Sequence, residues 1–176
     1  MIDKISEAYG RFISALALFG CLLLLAMMLI IVTDVALRNF AFSGGPQGLG
    51  WSNEVSEFLL YLITLSVAPW LLRQGQHIRV DILLQAIPKK LAWTLEWMGD
   101  LLGLVCCLVM SLYGTQATWA SYSANSLSIK TLVTPEWWSL APLPAVFTLL
   151  SIEMIFRMRR LWLAERGPRS DAVSAA

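Results

Sequence analysis

The chain has 176 residues; 57% are hydrophobic, only 14% are charged, and the net charge is +1. Soluble domains carry about 25% charged and about 45–50% apolar residues, so the excess apolar surface needs lipid as its solvent. The near-zero charge creates no field for nucleic acid or acidic ligands. The fold class these observations define is an all-α integral membrane protein with about four transmembrane helices.

The first apolar run, Phe12 to Thr33, holds 22 residues without a charge, where about 20 are needed to cross the hydrocarbon. Lys4 and Arg11 precede it, as in a signal peptide. A signal core, however, is only about 7–15 residues long and ends at a small-residue cleavage site. Here polar helix continues to Asp34 and Arg38, so the run reads as an uncleaved span over residues 12–38. The second span covers 52–72. Its strictly apolar part is Phe58 to Leu72, so the helix must begin near Ser52, a plausible N-cap, and carry Glu54 and Glu57 in its first turns. Pro69 should kink it or unwind its last turn, and Gly75 fits its C-cap.

The loop that follows, Arg73-Gln74-Gly75-Gln76-His77-Ile78-Arg79-Val80-Asp81, is dense with polar groups. His77 is the single histidine; it can build neither a metal site nor bis-histidine haem ligation, and reads as a contact residue. Residues 81–90 form an amphipathic segment suited to lying on the membrane surface. The third span, 91–115, carries Glu96 and Asp100 early. Uncompensated carboxylates in hydrocarbon are costly and are functional candidates; near the interface they would be unremarkable. The fourth span covers 137–160. Pro142 and Pro144 point to a broken or late-starting helix, firmest from Ala145 to Phe156, with Glu153 and Arg157 as a structural acid–base pair. Residues 167–176 read as a disordered tail. Cys21, Cys106 and Cys107 lie in apolar runs and pack as small hydrophobes.

With four spans, both tails and the middle loop share one side of the membrane. That side collects eleven of the 13 basic residues, leaving Arg38 and Lys130 opposite. The positive-inside rule then predicts cytoplasmic termini. Most tryptophans, Trp51 among them, fall near span ends, where amphipathic rings prefer the interface.

At the other side, Asp34 and Arg38 stand in the favourable i,i+4 order, as a self-neutralising pair or with Arg38 reaching a partner. Glu54 and Glu57 repel unless a cation lies between them; Arg38 lies on the same side of the membrane, so an Arg38–Glu54/Glu57 bridge between the first two helices is expected. Phosphate-cradling glycines, zinc motifs and nucleophile–histidine–acid sets are missing from the sequence. No enzyme activity, metal or cofactor is expected.

Several segments, in order, carry a family resemblance: Asp34-Val35-Ala36-Leu37-Arg38, Trp51-Ser52-Asn53-Glu54, Gly75-Gln76-His77-Ile78-Arg79-Val80-Asp81, and Pro135-Glu136-Trp137 followed by Pro142. Over Ala15 to Phe156 the chain resembles the small membrane subunit of tripartite ATP-independent periplasmic (TRAP) transporters, the DctQ-like family. That resemblance implies a non-catalytic scaffold in the bacterial inner membrane. Its implied partners are a large TRAP membrane subunit that moves substrate and sodium, a periplasmic substrate-binding protein, and membrane lipids. The substrate would be an organic acid such as a dicarboxylate, keto acid or sialic acid. Asp34, Arg38, Glu54, His77, Arg79 and Asp81 would hold structural or inter-subunit roles. From the residues alone, Trp51, Glu57, Arg73, Glu96 and Asp100 join them as contact candidates. Pro69 departs from the family pattern, and the length suggests an unfused small subunit.

Two other functions compete with this one. A small autonomous ion- or proton-coupled transporter would use Asp34, Glu57, Glu96 and Asp100 as titrating groups. A membrane redox subunit is disfavoured by the single histidine. The loops Asn39–Gly50 and Gly114–Glu136 contain nothing that reads as an organic-acid clamp, although the family suggests that a binding protein docks there.

Overall fold

The computed structural model describes residues 2–40, 48–74 and 88–163. Its elements in chain order are α1 (Ile2–Phe40), α2 (Ser52–Arg73), α3 (Lys89–Ser123), β1 (Leu127–Ile129), β2 (Val133–Pro135), α4 (Glu136–Leu140) and α5 (Pro142–Leu163). Four stretches are long and apolar enough to cross a membrane: Ser6–Asn39, Ser52–Arg73, Leu91–Ser123 and Glu136–Trp162. The protein is therefore an all-α, multi-pass membrane protein. The expected surface segment falls mostly, and the tail entirely, outside the described residues, as do Gly75, His77, Arg79 and Asp81.

The helices pack in the order α1–α2–α5–α3: α1 lies along α2, α2 against α5, and α5 along α3. Small residues permit the close approaches. A Cβ on Gly20 would stand 2.8 Å from Val67 Cγ2, and one on Gly114 would stand 2.8 Å from Leu143 Cδ2, so each glycine leaves room for a side chain of the facing helix, as small residues do between lipid-embedded helices. The interior seam is thin: Leu72, Cys107, Val146 and Leu150, with Leu65, Ala68, Phe147 and Met154 packed around them. Apolar side chains cover the outside instead, with Leu102 and Leu18 67% and 64% exposed. In water such a surface would aggregate; in a bilayer it meets a solvent of its own polarity.

The prolines act differently from expectation. α2 runs unbroken past the fully buried Pro69 to Arg73, and its last turn does not unwind. Pro69 removes one i→i−4 bond, and the surrounding packing holds the turn. The fourth span is broken, as Pro142 and Pro144 imply: α4 ends at Leu140 and α5 begins at Pro142, where a missing N–H costs nothing because the first turn has no intrahelical acceptor. α3 continues through polar residues to Ser123, past the expected end of its span.

Between α3 and α4 the chain forms a small antiparallel hairpin pairing Leu127 with Pro135, Ser128 with Thr134, and Ile129 with Val133. Asn125 turns the chain out of α3 with φ at 48°, a left-handed conformation that asparagine tolerates. Side chains alternate across the strands. Leu127, Ile129 and Val133 are exposed, and Ser128 and Thr134 half-buried.

Candidate functional site

Polar and charged side chains gather at the two ends of α2. At its C-terminal end, Arg73 is the hub. Its Nη1 donates to Glu153 Oε2 at 3.3 Å and its Nη2 to the Ser6 carbonyl at 3.0 Å. Arg160 Nη2 donates to the other oxygen of Glu153 at 2.5 Å, so a fully buried carboxylate is shared by two guanidinium groups. One turn along α5, Arg157 Nε stands 3.0 Å from Asp100 Oδ1 of α3, with both side chains buried. Glu96, also on α3, is buried. Gly10 makes room for the hub: a Cβ there would lie 2.8 Å from the guanidinium carbon of Arg73. Tyr9 donates to the Leu149 carbonyl at 2.6 Å and Trp93 Nε1 to the Leu161 carbonyl at 3.3 Å. Every spanning helix is thus tied to α5 or α2 by a polar bond.

The N-terminal end of α2 is built from local and distant pairs. Asp34 receives Arg38 Nε at 2.9 Å and the Leu49 amide at 2.6 Å, with Ser52 as a further donor. Gly48, at φ +88°, brings the incoming chain against this pair; a Cβ there would meet Arg38 Cγ at 2.8 Å, so glycine is required both by conformation and by space. Glu54 accepts the amides of Thr131 and Leu132 at 2.6 and 2.9 Å, and Glu57 receives Lys130 Nζ at 3.0 Å. Two adjacent turns of α2 therefore clasp the tip of the hairpin. Beside the clasp lies a cavity of about 400 Å³ walled by α2, the hairpin and α4.

The Asp34–Arg38 pair forms as the spacing predicts. The bridge from Arg38 to Glu54 or Glu57 does not. Asp34 holds Arg38, and the cation opposite Glu57 is Lys130, 73 residues away. Ser52 caps no helix: Trp51 is the N-cap residue, without a side-chain bond, while Ser52 is buried against Asp34. Trp51 itself is half-exposed at the helix start. The expected Glu153–Arg157 pair is also replaced. Glu153 faces the arginines at the ends of α2 and α5, and Arg157 turns to α3, where buried Asp100 attracts a cation. Among the described residues no group of His, Cys, Asp and Glu could hold a metal ion.

Four membrane-crossing helices whose polar side chains bind one another and the chain's own backbone define a small multi-pass membrane protein. Residues 27–164 match the family model for the DctQ component of tripartite ATP-independent periplasmic transporters. The chain belongs to that family. A protein of Haemophilus influenzae, provisionally named a TRAP transporter small permease protein, is 23% identical over 119 residues, covering 68% of this chain and 70% of that one.

Proposed function

We propose that this subunit is the fixed, non-catalytic scaffold of a sodium-coupled TRAP importer for an organic acid. In this reading it lies in the bacterial inner membrane with both termini cytoplasmic. It pairs there with the large membrane subunit, and a periplasmic binding protein brings the substrate. The observation that carries the reading is the occupation of its carboxylates. Asp34, Glu54, Glu57, Asp100 and Glu153 each hold a cation or backbone amides of the same chain, and buried Glu96 is engaged as well. A proton- or sodium-carrying site needs a carboxylate that changes partners during transport, and these are committed to holding helices and hairpin together. Asp34, Arg38, Glu54 and Arg73 then maintain the scaffold's shape. His77, Arg79 and Asp81 follow α2 at the end with more basic residues and serve contact with the large subunit.

The test is co-expression of a tagged chain with a large TRAP membrane subunit from the same organism. The two should copurify, and reconstituted uptake should require both subunits and the binding protein. Uptake by vesicles containing this chain alone would instead support the autonomous transporter.

A further inference from the structure

The cavity beneath the hairpin has binding capacity beyond the contacts that hold the scaffold together. Its mouth holds Glu57 and Lys130, of opposite charge, 3.0 Å apart and 71% and 52% exposed. Their mutual bond uses one oxygen of Glu57 and one donor of Lys130. A carboxylate has about four acceptor sites and an ammonium three donors, so each retains capacity for a second partner. Aromatic rings form another part of the wall: Phe58 and Tyr61 of α2 and Trp138 of α4. Tyr61 makes a ring contact with Phe58 at 6.3 Å; among the described residues its hydroxyl has no hydrogen-bond partner.

Depth matches this division. α2 has 22 residues and is about 33 Å long at 1.5 Å per residue, close to the hydrocarbon thickness of about 30 Å. Its first turns therefore sit at the headgroup boundary. Tyr61 lies about 10 Å below Glu54, at the level where acyl chains begin. The walls are set in advance, because Glu54 fixes the hairpin to α2 through two backbone amides.

We infer that this cavity binds a phospholipid with a zwitterionic aminophosphate headgroup, drawn from the leaflet at the α2 N-terminal end. The ligand's ammonium meets Glu57, its phosphate meets Lys130, and its upper chains run over Phe58, Tyr61 and Trp138. A purely anionic headgroup would satisfy Lys130 and be repelled by Glu57 and Glu54. The charge order thus selects the zwitterion.

The test is native mass spectrometry of the full chain, purified with any membrane subunit that accompanies it and delipidated. It is titrated with dioleoyl phosphatidylethanolamine, dioleoyl phosphatidylglycerol, or chain-free glycerophosphoethanolamine. The wild type should retain the ethanolamine lipid over the glycerol lipid. Glu57→Gln and Lys130→Gln should each weaken that retention about two- to fivefold, the range expected for one exposed charge contact. Tyr61→Phe, which leaves the ion pair intact, should weaken it by a smaller factor. Equal retention of both lipids, equal binding of the chain-free headgroup, or unchanged retention in all three variants would overturn the assignment. The charge-state distribution of the subunit reports folding, and the mass of any complex reports partnership, each separately from the lipid.

Discussion

The two ends of α2 use the same residue types to opposite effect. At the C-terminal end, Glu153 is fully buried between Arg73 and Arg160, and the Asp100–Arg157 pair is buried on both sides. At the N-terminal end, Glu57 and Lys130 are both exposed, and Glu54 spends its charge on backbone amides. Burial separates the two cases. A buried pair adds little over an apolar substitute, yet losing one member strands the other and is costly. An exposed pair is solvated either way and contributes little. The C-terminal end therefore fixes which helices are neighbours, whereas the N-terminal end holds a light clasp over a cavity.

The largest predicted effect follows from stranding charge. Glu153→Leu removes the anion shared by two arginines. Breaking a buried pair costs about 3–5 kcal/mol, and the lower figure is expected because Arg160 is 45% exposed and reaches water. Unfolding in mixed detergent micelles measures the loss; a change within error would mean that the network does not hold the helices. Next comes a double-mutant cycle on Asp100→Asn and Arg157→Gln. Contacting charges couple by about 0.5–3 kcal/mol, and the burial of both partners favours the upper half of that range. Additive effects would show that the 3.0 Å approach carries no energy.

The spans were legible in the sequence because lipid imposes a length and a polarity on each run. Phe12 to Thr33 and the prolines at 142 and 144 located α1 and the start of α5. Local pairs were legible too: Asp34 and Arg38 meet at i,i+4, a distance fixed by helix geometry. Partners across helices were not. Nothing in the chain order distinguishes Lys130 from Arg38 as the cation for Glu57, since both lie on the same side of the membrane. Likewise Arg157, one turn from Glu153, looked like its mate, although the partner choice was made by α3 and α2. The hairpin escaped notice because Leu127 to Pro135 is too short for an alternating pattern to stand out. Its polar face, Ser128 and Thr134, has meaning only beside the cavity.

A smaller effect is expected at Gly20, which packs between the two ends against Val67 of α2. Gly20→Ala gains helix propensity of about 1 kcal/mol, but its Cβ would sit 2.8 Å from a branched Val67 methyl. Overpacking of this kind costs about 1–3 kcal/mol, so net destabilisation of about 1 kcal/mol should appear, and Val67→Ala should relieve it. Stabilisation by Gly20→Ala alone would indicate that α1 and α2 can separate freely.

The smallest effect is expected at Lys130, where energy and dynamics part. Lys130→Ala should lower global stability by less than about 1 kcal/mol, as for an exposed pair. The hairpin tip is a different quantity, because local opening has its own free energy below that of global unfolding. The amides of Thr131 and Leu132 are held by Glu54 and not by Lys130. Hydrogen exchange at those two amides should therefore change little in Lys130→Ala and accelerate clearly in Glu54→Gln, with the amides around Glu153 unaffected in both. Acceleration of equal size in the two variants would mean that the ion pair, and not the carboxylate–amide clasp, keeps the hairpin on α2.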